Sequence, residues 1–169
     1  MEQKINNEEE KKNWKIYLWA KHKWKFYIFF GLFISSIIGY QFFQIQINKK
    51  NEFISEQYIK AGLYLASKKE TESKKILEEI INSKNKFYSP LALNMILEKK
   101  LETNNKKILD YFEIVEKIQN KKEQKDLIVL KKSLYLIKIS QIEKGNELLQ
   151  KIIDSNSSLK SIAEELLEN

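Results

Sequence analysis

The stretch "KFYIFFGLFISSIIGYQFFQIQINKK", Lys25 to Lys50, carries no charge between Lys25 and Lys49. A helix needs about 20 predominantly apolar residues to cross a bilayer core that is about 30 Å thick. Residues 26–47 reach that length, and no polar stripe with helical period runs along them, as it would on a half-buried soluble helix. The run therefore predicts a transmembrane helix over 26–47.

Two other interpretations of this run, a cleaved signal peptide and a buried core helix, are weaker. Signal peptides have a short apolar stretch and small residues at the cleavage site. Here the run begins only after Lys25 and ends in the bulky sequence "GYQFFQIQ". A core helix of a soluble protein does not explain why tryptophans and lysines cluster at one end of the run. A retained membrane anchor is therefore favoured.

The flank before the run is rich in lysine and tryptophan. Lysines are retained on the cytoplasmic side of a membrane, and six lysines at 11–25 precede the run, against two directly after it, Lys49 and Lys50. This asymmetry predicts a cytoplasmic segment 1–25 and a translocated C-terminal part. Residues 11–25 form either an interfacial helix or the start of the spanning helix. The predicted membrane-interface residues are Trp14, Trp19, Lys21, Lys23, Trp24 and Lys25.

The composition favours helices and offers little for catalysis. With Gly 4 and Pro 1, the chain is poor in the residues that turns between strands require. It has no cysteine, which excludes disulfides and cysteine-based zinc sites, and its one histidine, His22, lies in the lysine-rich flank. It also lacks a glycine-rich phosphate loop, an HExxH motif and a nucleophile elbow. We therefore predict an all-α protein that is not an enzyme, with no catalytic, cofactor-binding or metal-binding residues.

The formal net charge of +7 raises the possibility of a nucleic-acid partner. Every basic residue is a lysine, however, whereas arginine supplies the planar fork that reads guanine and grips phosphate. Beyond the run, lysines and acids are interspersed as on the solvated faces of helices. We therefore expect no nucleic-acid partner and expect a lipid bilayer and other proteins instead.

Residues 51–169 read as a series of short amphipathic helices that repeats. Ile76 opens a stretch, "ILEEIINSKNKFYSPLALNMIL", which aligns with "LLQKIIDSNSSLKSIAEELL" from Leu148, 72 residues later. This offset is about twice the 34-residue period of tetratricopeptide helix pairs. It predicts a tetratricopeptide-like stack of antiparallel helix pairs, and an ordinary antiparallel bundle is the alternative. Predicted breaks between helices fall at 67–71, 82–88, 102–105, 119–123, 140–145 and 154–158.

Two helices carry the spacing of a tetratricopeptide first helix, which places a large ring, a mid-sized residue, a small residue and a bulky residue on one face. The small residue, Gly62 in the first helix, is expected to let the partner helix approach closely. Such residues pack between helices and do not form a ligand site. The predicted repeat-packing core is Tyr58, Ala61, Gly62 and Leu65 in the first helix, and Tyr88, Leu91, Ala92 and Met95 in the second.

Three stretches together resemble the tetratricopeptide-like ancillary subunits of the bacterial Sec translocon: "EEEKKNWKIYLWAKHKWK" before the span, "FISEQYIKAGLYL" after it, and "FYSPLALNMILEKKLE". The resemblance implies a single-pass inner-membrane protein with its repeat domain in the periplasm. It also implies protein partners, namely translocon subunits, periplasmic chaperones or exported proteins. The chain departs from longer members by ending one helix after "NELLQKIID".

These observations predict a membrane-anchored protein-interaction scaffold associated with the Sec translocon and with the periplasmic handling of exported proteins. Tethering to the membrane would let weak contacts suffice, because confinement raises the effective concentration of a partner. An adaptor for envelope or cell-division assembly, with the same topology, is the alternative.

Overall fold

The computed structural model describes the backbone of residues 2–168 and the side chains of residues 24, 25 and 27–168. Within this part the chain is all-helical, with seven helices and no strand. The chain divides into two compact units, Met1–Lys49 (unit 1) and Lys50–Asn169 (unit 2). The helices are α1 Glu2–Ala66, α2 Glu70–Asn82, α3 Tyr88–Glu98, α4 Asn105–Ile118, α5 Lys122–Lys138, α6 Ile142–Asp154 and α7 Lys160–Glu168.

The connections in unit 2 are short, and each overlaps a break predicted from polar sequence. They turn without glycine. In all of them except 119–121, a residue with positive φ follows the helix and allows the next N–H groups to bond to the last carbonyls. At the end of α1, the backbone N–H of Lys68 donates to the Leu65 carbonyl (3.0 Å) and that of Lys69 to the Tyr64 carbonyl (2.8 Å). Within residues 2–168, the residues with positive φ are Lys68, Lys84, Lys100, Ser140 and Asn156.

These turns repeat with the offset predicted from the sequence. Lys68 corresponds to Ser140 and Lys84 to Asn156, 72 residues apart in both cases. The backbone hydrogen bonds of these turns repeat as well. The N–H of Ser140 donates to the Ile137 carbonyl (3.0 Å), as the N–H of Lys68 does to the Leu65 carbonyl. The halves of unit 2 thus share turn geometry as well as composition.

Two close helix crossings repeat in the same way. The buried Ser73 of α2 donates its hydroxyl to the Ala61 carbonyl of α1 (2.8 Å). At the corresponding crossing, 72 residues later, Ser133 of α5 faces Gly145 of α6. Both crossings use small side chains, because only these allow two helix backbones to come this close. The two halves of unit 2 therefore resemble each other in how their helices pack as well as in sequence.

The core of unit 2 consists of two hydrophobic clusters. The larger joins the C-terminal part of α1 to α2, α3, α4 and the first half of α5, around the fully buried Phe112. The smaller joins α5, α6 and α7 around Leu149 and Ala163. Successive helices of unit 2 therefore pack against one another in chain order.

Of the residues predicted to pack between helices, Ala61 and Ala92 are fully buried. Tyr58, Tyr88 and Met95 are half-buried against the larger cluster, and the two tyrosine rings lie 5.8 Å apart. The other three, Gly62, Leu65 and Leu91, are half-buried. Gly62 does not provide the close approach expected of it, because a Cβ atom there would meet no atom within 4 Å. The rotation of α1 gives that position to Ala61, whose carbonyl accepts the Ser73 hydroxyl.

Alanine at Gly145 and at Gly62 is expected to change the stability of unit 2 in opposite directions. A Cβ atom at Gly145 would lie 2.5 Å from Ile137 Cγ1 and 2.9 Å from the Ser133 carbonyl oxygen. Gly145→Ala should therefore lower the free energy of unfolding by about 1–3 kcal/mol, as overpacking does. Gly62→Ala should raise it by about 0.5–1 kcal/mol, because alanine favours the helix and has space. Denaturant unfolding of the full chain in detergent, followed by circular dichroism, measures both, and shifts of the same sign would contradict the packing described.

Candidate functional site

The apolar run lies within α1, and its side chains are almost all exposed. Tyr27 and Phe29 are both 72% exposed and Phe42 is 64% exposed, although such rings are normally buried in a folded protein. This helix is long and apolar enough to span a membrane, with a mean hydropathy of 1.6 over its apolar window. None of that window is buried within the described part of the chain, which is not the pattern of a core helix. The exposed run is a candidate membrane span.

The predicted interface residues can be placed only in part. The side chains of Trp24 and Lys25 are exposed at the start of the run, with Trp24 at 74%. The side chains of Trp14, Trp19, Lys21 and Lys23 lie outside the described residues. The assignment of these six residues to the membrane interface stays a prediction.

Unit 2 carries a groove of about 530 Å³ between the C-terminal end of α3, the connection 99–104, the start of α4 and the second half of α5. Its floor is apolar, with Leu97, Ile108 and Leu134 among the lining residues, and Leu134 is 41% exposed. Three lysines lie around it, namely Lys100, Lys131 and Lys138. A groove of this kind, an apolar surface bordered by positive charge, is a candidate binding site.

One wall of the groove, the connection 99–104, is held in place by the carboxylate of Glu102. Glu102 Oε1 accepts the backbone N–H groups of Thr103 (2.8 Å) and Asn104 (2.9 Å). Glu102 Oε2 pairs with Lys74 (2.9 Å) and Lys107 (3.4 Å), and the side chain is only 6% exposed. The N–H of Asn104, together with the bond to Lys74, lowers the pKa of Glu102 to about 2. The carboxylate therefore stays charged, but that charge is neutralised away from the groove.

A second polar group ties α2 to α4 beside this connection. Lys107 Nζ lies 2.6 Å from Glu78 Oε1, and the Tyr111 hydroxyl donates to the same oxygen at 2.8 Å. Burial, followed by the hydrogen bond to Glu78, raises the pKa of Tyr111 to about 12. The hydrogen bond to Glu78 also raises the pKa of Lys107. Tyr111 and Lys107 therefore keep their protons over the physiological range, and their bonds to Glu78 tie α2 to α4.

The opposite wall belongs to α5 and is fixed by two hydrogen bonds. The Tyr135 hydroxyl donates to Asn105 Oδ1 at the start of α4 (2.8 Å), and Lys131 Nζ donates to Asn94 Oδ1 of α3 (2.9 Å). Burial raises the pKa of Tyr135, so its hydroxyl stays protonated and keeps this bond. The groove is thus bounded by side chains that are already held in position.

The groove is positively charged because its lysines are not neutralised. In the described part of the chain, no carboxylate forms an ion pair with Lys100, Lys131 or Lys138. Glu102, the one acid that lines the groove, is paired with Lys74 and Lys107. Among the described residues there is also no cluster of His, Cys, Asp or Glu that could hold a metal ion. The groove therefore combines an apolar surface with positive charge at its border, and this combination suits the binding of an acidic, partly apolar ligand.

Sequence reasoning did not find the groove. The local signal was present, since "ETNN" at 102–105 is a helix-start sequence and the Asn104 side chain accepts the Lys107 N–H (3.2 Å). What it could not show is that Lys74 and Lys138, which are distant in sequence, lie on either side of this connection. Comparisons with known proteins return nothing, since no protein-family model, no curated protein and no solved structure matches the chain.

Proposed function

We propose that the chain is a membrane-anchored protein-interaction scaffold, held in the bilayer by the apolar run and binding polypeptides through unit 2. The observation that carries the proposal is one chain that joins an exposed apolar helix to a helical stack with an unneutralised, lysine-bordered apolar groove. A membrane-bound scaffold requires an anchor and a binding surface, and it requires no catalytic group.

The ligand proposed for the groove is a polypeptide segment that combines apolar and acidic side chains. Leu134, Ile108 and Leu97 supply the apolar contact. Lys100 and Lys138 stand beside them without a carboxylate partner within the described residues. Complementary charge of this kind favours the correct partner and speeds its association. Weak binding suffices, because membrane tethering raises the effective concentration of a partner in the same membrane.

The architecture of unit 2 supports a tetratricopeptide-like assignment within this proposal. Alternate helices α3, α5 and α7 begin at residues 88, 122 and 160, close to the spacing of helix pairs in that class. The turns and crossings repeat after 72 residues. Together with the resemblance to ancillary subunits of the Sec translocon, this leads us to place the chain in a bacterial inner membrane. In that arrangement the N-terminus is cytoplasmic and unit 2 is periplasmic, beside translocon subunits, chaperones or exported proteins.

Site-specific photo-crosslinking in living cells tests the proposal. A photoreactive residue at Leu134 lies in the groove, and one at Leu127 is the matched control, since it is on the same helix and is 43% exposed against 41% for Leu134. We expect partner adducts at 134 and not at 127. Adding Lys100→Glu and Lys138→Glu should reduce the adducts at 134, because both charges beside the groove are reversed.

The identity of the crosslinked protein decides between the two functions. Translocon subunits, periplasmic chaperones or exported proteins would support the proposal as stated. Division or envelope-assembly proteins would keep the scaffold but replace the translocon role with the alternative adaptor role. Equal labelling at 127 and 134, or no protein adduct at 134, would overturn the assignment of the groove.

A further inference from the structure

Three connections lie together at one end of unit 2: 83–87, 119–121 and 155–159. They meet because successive helices reverse direction, and hydrogen bonds join them in a row. Asn85 Nδ2 donates to Asn51 Oδ1 (2.7 Å), Gln119 Nε2 donates to the Lys86 carbonyl (3.2 Å), and Lys122 Nζ bonds to the Ser155 carbonyl. We call residues 83–87, 119–122 and 155–159 the basal face.

The basal face contains lysines and no acid. Its four lysines, Lys84, Lys86, Lys121 and Lys122, are all exposed, and no aspartate or glutamate occurs within the three ranges. Only Lys122 has a hydrogen-bond partner there, a backbone carbonyl that leaves its charge unneutralised. An exposed lysine cluster of this kind attracts an anionic surface over about a Debye length, 8–10 Å.

An apolar side chain projects among these lysines. Phe87 is 65% exposed, with its ring edge-on to Tyr88 at 5.0 Å. The backbone at Phe87 is held in place, because Asn85 Oδ1 accepts the N–H groups of Phe87 (3.0 Å) and Tyr88 (2.9 Å). Exposed rings flanked by lysines are typical of surfaces that contact lipid headgroups.

Only a short length of chain separates this face from the apolar run. Asn51, which bonds to Asn85, is only four residues after Ile47, the last residue of the apolar run. Four residues reach at most about 14 Å even when fully extended. The opposite end of unit 2, at connections 67–69, 99–104 and 139–141, also carries lysines but has no such short tether to the run.

We infer that the basal face docks on the bilayer surface through anionic lipid headgroups, so that Lys84, Lys86 and Lys121 contact lipid phosphate and Phe87 enters the headgroup layer. This inference rests on the membrane anchor of the proposed function and is independent of the groove and its partner. Docking holds the groove, which lies beside connection 99–104, at the end of unit 2 that faces away from the lipid. A partner in solution or in a neighbouring complex can then reach it.

Because the sequence contains no cysteine, a single introduced cysteine is the only site that a thiol-reactive fluorophore will label. Asn120→Cys labels the basal face and Thr103→Cys labels the opposite end, and both positions are exposed. The full chain is reconstituted in nanodiscs of phosphatidylcholine, with or without phosphatidylglycerol, that contain a headgroup-nitroxide lipid as quencher. We expect the fluorophore at 120 to be quenched more strongly in the anionic discs, and less so at high salt. The fluorophore at 103 should not respond to lipid charge.

A charge-matched pair of variants identifies the surface. Lys84→Gln, Lys86→Gln and Lys121→Gln together should weaken docking about a hundredfold, since each lysine near an anionic surface contributes about fivefold. Lys68→Gln, Lys69→Gln and Lys99→Gln, at the opposite end, remove the same charge and should leave quenching at 120 unchanged.

Three outcomes would overturn the inference, and they have different meanings. If the chain does not co-elute with the nanodiscs, the anchor fails and the docking fails with it. If it co-elutes but quenching at 120 is the same in both lipids, the anchor stands and only the docking is wrong. If quenching at 103 equals that at 120, unit 2 does not use the basal face.

Discussion

Placing lysines at Ile34 and Ile38 together is expected to release the chain from the membrane. Both side chains lie inside the apolar run and are exposed, at 42% and 64%, so neither change disturbs a core. A lysine near the centre of a spanning helix costs about 2.5–3.5 kcal/mol, so two cost about 6 kcal/mol, or about four orders of magnitude in insertion. Alkaline extraction of membranes should move the double variant from the pellet to the soluble fraction.

The matched control is Ile59→Lys with Leu63→Lys. These residues have the same spacing on α1 and are 61% and 63% exposed, but they lie beyond the run, in unit 2. The control should stay in the membrane. If the Ile34 and Ile38 variant also stays, or if the control leaves, the run at 26–47 is not the anchor.

A C-terminal reporter that is active only outside the cytoplasm shows, in the same experiment, on which side of the membrane unit 2 lies. In the natural sequence it should be active, because the excess of lysines at 11–25 over those directly after the run predicts a cytoplasmic N-terminus. In the Ile34 and Ile38 variant it should be silent. A silent reporter on a chain that remains in the membrane would reverse the proposed orientation without removing the anchor.

Glu102→Gln is expected to lower the free energy of unfolding by up to about 3 kcal/mol at neutral pH and by little in acid. The folded state lowers the pKa of Glu102 to about 2 from an ordinary value of 4.5. A lowered pKa means that the carboxylate stabilises the fold fully above its unfolded pKa. That contribution is lost as the pH falls from about 5 to about 2. The difference between the natural chain and the variant should shrink over the same range.

Urea unfolding of the full chain in detergent, followed by circular dichroism at several pH values, measures this difference. Glu79→Gln, at an exposed position of α2, controls for the loss of one negative charge and should have a small effect at every pH. Because both chains otherwise carry the same carboxyl groups, the difference in stability between them isolates Glu102. A difference that stays constant from neutral to acid pH would show that Glu102 does not stabilise connection 99–104 through its charge.

The helices were predictable from the sequence because each depends mainly on neighbouring residues. Polar runs such as "SKNKF" after α2 and "QNK" after α4 marked where helices end, and the structure ends them there. The 72-residue repeat was visible too, since Leu77 and Leu149 occupy the same fully buried position in the two halves. Periodic apolar side chains are enough to show which face of a helix is buried.

The small residues at the helix crossings were only partly predictable. Gly62 was the expected point of close approach in the first helix, yet Ala61 occupies it, one residue and 100° away around the helix. Gly145, where a Cβ atom would collide with Ile137, was not singled out at all. A sequence pattern gives the buried face within about one residue, whereas the exact contact depends on how each helix is rotated against its neighbour.

The apolar run, the helical class and the repeat can be predicted from the amino-acid sequence, because each depends on residues that are close together along the chain. The groove, the pairing of Glu102 with Lys74 and Lys107, and the basal face become visible only in the folded chain. Each of these joins residues from different helices, so it exists only after the helices have packed. The angle and register of that packing depend on side-chain contacts across the whole of unit 2, which no local pattern encodes.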